Sequence, residues 1–165
     1  MDISWLTERI AIGGGIWNAE NMAKVAEAGV THIIDMQIEF DDTPLAARHG
    51  IAVLWNPTDD DFEAKPAALF RRGVEFVEAA LGNDGAKVLI HCAAGVHRAP
   101  MMALAVLGSM GWDLEDAMEL IGEASGGRFC RGLCEERGEV SGRRWEELNH
   151  RGHRGHGEEL LIVDF

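Results

Sequence analysis

Lys87-Val88-Leu89-Ile90-His91-Cys92-Ala93-Ala94-Gly95-Val96-His97-Arg98 is the stretch on which the fold turns. Val88 to Ile90 is a short apolar run between the turn Asn83-Asp84-Gly85 and a loop, and it reads as a strand over Lys87 to His91. Arg98 to Met110 is apolar nearly all round, which predicts a buried central helix. Between them lie residues of little bulk. Such a loop can curl so that successive backbone N–H groups converge on one anion. The helix N-terminus adds its partial positive charge there, and Gly95 permits a backbone conformation that other residues resist.

Working outward, strands and helices alternate. Arg9 to Ile12 reads as a strand stopped by Gly13-Gly14-Gly15. Asn18 to Ala28 reads as a helix with Met22, Val25 and Ala26 on one face and Gly29 as its stop. Val30 to Met36 and Ile51 to Trp55 read as strands, with a short helix over Leu45 to His49. Pro66 to Leu81 carries Phe70, Val74, Val77 and Leu81 at helical spacing, and Pro66 suits a first turn. Asp113 is placed to cap a last helix with Leu114, Ala117, Met118 and Ile121 inward. The fold class is therefore α/β: one domain, a central mostly parallel sheet flanked by helices, and a phosphate-binding loop between a central strand and a buried helix.

The 165 residues suit one core, and a hydrophobic content of 47% is ordinary for a globular chain. No apolar run approaches the roughly 20 residues that span a bilayer, and Met1-Asp2-Ile3-Ser4-Trp5 has no signal-peptide character. Three cysteines do not make a disulfide framework, so a reducing, cytoplasmic location is expected. The net charge of −13 falls mostly on residues 1–125, with 8 Lys+Arg against 20 Asp+Glu. An acidic body argues against nucleic acid or membrane as a partner. Residues 126–165 differ, with 8 glycines and 7 arginines. They read as a helical, Gly/Arg-rich extension, packed on a core over residues 1–125 or partly flexible. Arg143 to His150 is a possible short helix there, and Leu160-Leu161-Ile162-Val163 an apolar segment able to dock.

In the loop, inward N–H groups of Ala93, Ala94, Gly95, Val96, His97 and Arg98 would bind phosphate and stabilise a Cys92 thiolate. The planar fork of Arg98 can hold two phosphoryl oxygens. Attack of Cys92 on phosphorus would give a phosphocysteine, then hydrolysis. A general acid must protonate the leaving group. Asp59-Asp60-Asp61 follows the strand Ile51 to Trp55, and loops at the carboxyl ends of parallel strands gather on one edge. The aspartates are thereby expected to face Cys92.

His-Cys-x-x-Gly-x-x-Arg at residues 91–98 resembles the active-site loop of the protein tyrosine phosphatase superfamily, and the short chain resembles its small dual-specificity-type branch over roughly residues 5–125. The resemblance implies a protein-tyrosine or dual-specificity phosphatase that needs no cofactor or metal and acts on phosphorylated proteins. Cys92 would be nucleophile, Arg98 the phosphate clamp and Asp60 the general acid. Pro57-Thr58-Asp59-Asp60 is similar to the family's Pro-x-x-Asp, with Asp61 as runner-up. The family usually has Ser or Thr directly after the arginine. Here it is Ala99, which implies slower breakdown of phosphocysteine and opens a second reading, a phosphoprotein-binding pseudophosphatase. The absence of Lys from the loop favours a singly phosphorylated substrate.

Other residues carry weaker signals. His91 is expected to hydrogen-bond the loop backbone, and His97 to sit on the rim. Trp17 or Trp55 is expected to border the cleft. Gly13-Gly14-Gly15 lacks dinucleotide-binding spacing and reads as a turn. Cys130 with Cys134, and His150, His153 and His156, are weak metal patterns. Sulfur transfer and arsenate reduction rank lower, because an acid has no task in the former and Cys130/Cys134 would have to resolve the latter. A monomer is favoured.

Overall fold

The computed structural model describes residues 1–126, which hold five strands and five helices that alternate from the second strand to the fourth helix. In chain order they are β1 (Ile3–Trp5), β2 (Ile10–Gly13), α1 (Ala19–Glu27), β3 (His32–Asp35), α2 (Thr43–Ala46), β4 (Ala52–Trp55), α3 (Ala67–Leu81), β5 (Val88–His91), α4 (Arg98–Ser109) and α5 (Leu114–Ala124). A single 3-10 turn, Ala47–His49, follows α2. The sheet order is β1-β2-β5-β3-β4. Four strands are parallel, and β1 joins β2 antiparallel at one edge. The expected mostly parallel sheet is present. β1 has three residues and no period long enough to announce itself.

The register places the strand ends level. Gly13 lies opposite His91, His91 opposite Asp35, and Asp35 opposite Trp55. The loops after β2, β3, β4 and β5 therefore leave the sheet along one edge. Strand β5 is central and buried along its whole length.

Side chains alternate between the two faces of each strand. Ile10, Ile12, Ile34, Met36, Val88 and Ile90 face α3, α4 and α5. Ala11, Ile33 and Leu89 face α1 and α2. Full burial of one such aliphatic side chain contributes about 1.5–3 kcal/mol. Helix α4 is buried from Arg98 to Leu104 and again from Val106 to Gly108, as its apolar circumference requires. Asn18 accepts the Asn21 N–H at 2.9 Å to start α1, and Asp113 accepts the Glu115 N–H at 2.8 Å to start α5. The expectations for Cys130, Cys134, Arg143 to His150, the histidines 150, 153 and 156, and Leu160 to Val163 lie outside the described residues.

Candidate active site

The turn from β5 into α4 forms the floor of the site. Cys92 follows the last residue of β5 and is 1% exposed. Its sulfur accepts the N–H of Gly95 at 3.3 Å. Gly95 has φ +72°, and a Cβ there would lie 2.8 Å from the Gly13 carbonyl oxygen. Only glycine meets both conditions. His97 begins α4 but caps it with no side-chain bond, so the N–H groups of the first turn lack a side-chain acceptor from that position. Pro100, in that turn, has no N–H to satisfy.

Gly13-Gly14-Gly15 does more than turn the chain. The Cys92 N–H reaches the Gly13 carbonyl at 3.4 Å, and the Gly15 N–H donates to Ala93 at 2.9 Å. The Trp17 indole lies so close over Gly15 that a Cβ there would overlap the ring. Trp17 thus borders the loop, and Phe40 meets it at 6.1 Å between ring centroids. Trp55 instead donates its indole N–H to the Gln37 carbonyl at 2.8 Å.

Arg98, 1% exposed, reaches back from α4 under the loops after β3 and β4. Its Nη1 and Nη2 each donate to one oxygen of Glu39 at 2.9 Å, a bidentate pair. Nη1 also faces the carbonyls of Thr58 at 3.2 Å and Met36 at 3.5 Å. Burial works against the charge on Arg98. The bond to Glu39 and the charges of Cys92 and Asp60 outweigh it and raise the proton affinity of the guanidinium. The same bond holds the Glu39 carboxyl below its usual range. Arg98 Nε is buried without a hydrogen bond, the Asp60 Oδ2 atom lying 3.6 Å away. A buried cationic donor with an ion-pair partner but no hydrogen bond suits an oxyanion.

The structure separates the three aspartates. Asp60 contacts His97 Nδ1 through Oδ1 and faces Arg98 through Oδ2. Asp61 pairs with Lys65 and accepts the Glu63 N–H at 3.0 Å, so it serves its own turn. The Lys65 bond keeps its carboxyl below the usual range. Asp59 is exposed. The loop is rooted at buried Asn56, which donates to the Leu69 carbonyl at 2.9 Å and accepts from Arg72 Nη2 at 2.7 Å.

His91 departs from expectation. Its imidazole makes no hydrogen bond to the loop backbone, because the end of β3 and the loop that follows it bring carboxylates to it first. Nε2 lies 3.0 Å from Asp42 Oδ2 and 3.6 Å from Asp35 Oδ1, all three residues being fully buried. Burial, only partly offset by His91 and by the Gln37 N–H, pushes the Asp35 carboxyl up to about 6. Among the described residues this is the group with metal-ligand character, its three ligand atoms lying within 4.8 Å of one another.

The family model for the dual specificity phosphatase catalytic domain matches residues 15–136. The chain belongs to that family. Among curated relatives of this dual specificity phosphatase domain, mouse Protein phosphatase Slingshot homolog 3 is 32% identical over 107 residues, covering 64% of this chain and 16% of that protein. Mouse Protein tyrosine phosphatase type IVA 3 is 33% identical over 95 residues, covering 56% and 54%. Rat Dual specificity protein phosphatase 5 is 27% identical over 109 residues, covering 66% and 27%. The match thus spans from about a sixth to about half of these relatives' own lengths. The crystal structure of PTPMT1 superimposes with a TM-score of 0.72 at 22% identity, covering 90% of this chain and 97% of that one. Human DUSP28 gives 0.68 at 20%, covering 90% and 95%. Both share the fold of the dual specificity phosphatase domain.

Glu39, Asp35, Asp42 and Phe62 were not singled out by sequence reading. Glu39 had one available signal. It is the only acid in the four residues that follow Met36, on a loop that leaves the same sheet edge as Cys92.

Proposed function

We propose that the chain hydrolyses phosphotyrosine in proteins, and phosphoserine or phosphothreonine as well, through a phosphocysteine on Cys92. The observation that carries this reading is a Cys92 Sγ bonded by the Gly95 N–H, whose charge acts on an Arg98 with Nε buried and without a hydrogen bond. In the first step the Cys92 thiolate attacks phosphorus. The main-chain N–H groups of Ala93 to Arg98 and the Arg98 guanidinium take the charge that develops on the phosphoryl oxygens. Asp60 gives its proton to the leaving oxygen, and the phosphoryl group is now on sulfur. In the second step the Asp60 carboxylate takes a proton from water as the water attacks phosphorus, and the thiolate leaves.

Substrate choice is supported by the rim. Trp17, Phe40 and Phe62 stand beside the loop, and Trp17 and Phe62 are about half exposed, which suits an aryl ring. The loop's Ala93, Ala94 and Val96 offer no charge to a second phosphate. The catalytic unit is proposed to lie within residues 1–125. A reducing, cytoplasmic setting would keep the free Cys92 thiol competent. No described helix is long and apolar enough to cross a membrane.

A second reading rests on Ala99, fully buried directly after Arg98 and without a hydroxyl for the cysteine sulfur. On that reading the loop captures phosphoprotein and turns over slowly or not at all. The test is hydrolysis of a phosphopeptide panel in the presence of a metal chelator. The first reading expects turnover by wild type and none by Cys92→Ser. Phosphopeptide binding by the wild type without product supports the second.

A further inference from the structure

His97 stands immediately before Arg98, and its ring is engaged twice. Nδ1 contacts Asp60 Oδ1, and Phe62 stacks on the imidazole with centroids 4.3 Å apart and planes 27° apart. Phe62 reaches this place through a left-handed backbone, φ +59°, a conformation that costs an L residue on the order of 1 kcal/mol. Two residues of the β4–α3 loop therefore close on one ring of the Cys92 loop. The core does not require this, since neither His97 nor Phe62 belongs to either apolar cluster.

The β4–α3 loop needs such a hold. Asp59 to Ala64 are all exposed, and the last anchored residue before them is Thr58, its carbonyl accepting from Arg98 Nη1 at 3.2 Å and its N–H donating to the Met36 carbonyl at 3.4 Å. A segment with so few buried contacts opens at little cost. The grip on Oδ1 leaves Oδ2 as the oxygen that faces Arg98, 3.6 Å from Nε.

We propose that His97 is a positioning residue for Asp60: its ring, clamped by Phe62, holds the β4–α3 loop against the Cys92 loop and aims Asp60 Oδ2 at the leaving-group side of the phosphoryl site. This rests on the reading of Asp60 as the general acid. The charged groups around the clasp are Arg98, Glu39 behind it, Cys92 at the loop's start, and Asp59 and Asp61 beside Asp60, of which Asp61 is taken by Lys65.

Leaving-group dependence tests it in the full-length protein. kcat/KM reports phosphocysteine formation whatever the rate of its breakdown. It is measured across pH for 4-nitrophenyl phosphate, whose leaving group departs with little help, and for phenyl phosphate, whose leaving group needs a proton. The variants are His97→Ala, His97→Asn, Phe62→Ala and Asp60→Asn. His97→Ala is expected to lower kcat/KM for phenyl phosphate about 10- to 100-fold, a share of what a positioned acid supplies, with little change for 4-nitrophenyl phosphate. Phe62→Ala moves in the same direction by less. His97→Asn, whose amide nitrogen can occupy the place of Nδ1, restores most of the loss and the wild-type pH profile. Equal losses for both substrates in His97→Ala, or none, would overturn the inference while Asp60→Asn still lost phenyl phosphate selectively. A silent Asp60→Asn would overturn the acid assignment, and the inference with it.

Discussion

Glu39 grips both terminal nitrogens of Arg98 at 2.9 Å, and that grip leaves Nε as the buried donor without a hydrogen bond. The guanidinium is thus oriented by the β3 loop before any phosphate arrives. Glu39→Gln should lower kcat/KM about tenfold, because the fork loses its charged partner and one of its two acceptor oxygens. Arg98 is buried but the Glu39 side chain is 43% exposed, so solvent compensates part of the loss. A destabilisation of about 1–2 kcal/mol is expected, measured by urea unfolding.

Gly95→Ala tests the loop's shape. The new Cβ would meet the Gly13 carbonyl at 2.8 Å in a backbone with φ +72°. The strain is about 2–4 kcal/mol. Steady-state assay should show activity reduced by about a hundredfold or more, since small misplacements of reacting groups cost that much. Circular dichroism should still report the fold.

Ala99→Ser restores a hydroxyl next to Arg98. One hydrogen bond to a charged sulfur is worth about 1.5–3 kcal/mol, so phosphocysteine breakdown should rise about ten- to a hundredfold. Rapid-quench kinetics should show a wild-type burst that shrinks in the variant. The position is fully buried, and stability should change by about 1 kcal/mol at most if the hydroxyl finds the sulfur.

Asp35 gives the fold a pH signature. Its carboxyl rises from 3.8 to about 6 in the folded protein. Between those values the folded state holds a proton that the unfolded state has released, so stability falls as pH rises from about 4 to about 6. The contribution is on the order of 3 kcal/mol, fully present below pH 4 and lost above pH 6. Asp35→Asn should remove this slope, and the difference between the two unfolding curves from pH 4 to 7 isolates it.

Much of this was legible in the sequence, and for local reasons. The strand–loop–helix at Lys87 to Arg98 announces itself through apolar runs and small loop residues. The cluster Asp59 to Asp61 follows from where parallel strands send their loops, and Asp60 within it from the resemblance of Pro57-Thr58-Asp59-Asp60 to the family's Pro-x-x-Asp. What escaped depends on register and on side-chain reach. Asp42 meets His91 only because Asp35 and His91 are level across two strands and the β3 loop folds back over them. Glu39 meets Arg98 across 59 positions. The left-handed backbones of Trp17 and Phe62 carry no residue-type signal, because neither is glycine or asparagine. The glycines after β2 looked like a turn, and their role as a wall for the Cys92 loop appears only when β2 and β5 pair.

On the proposed mechanism Cys92 takes the phosphoryl group. The most direct measurement is intact-protein mass spectrometry after acid quench of the wild type and of Cys92→Ser, within the first turnover of phosphotyrosine peptide. The wild type should carry one added phosphoryl group, mapped by fragmentation to Cys92, and the variant none. Product release by the wild type without that adduct on Cys92, or with full activity in Cys92→Ser, would rule out Cys92 as the nucleophile.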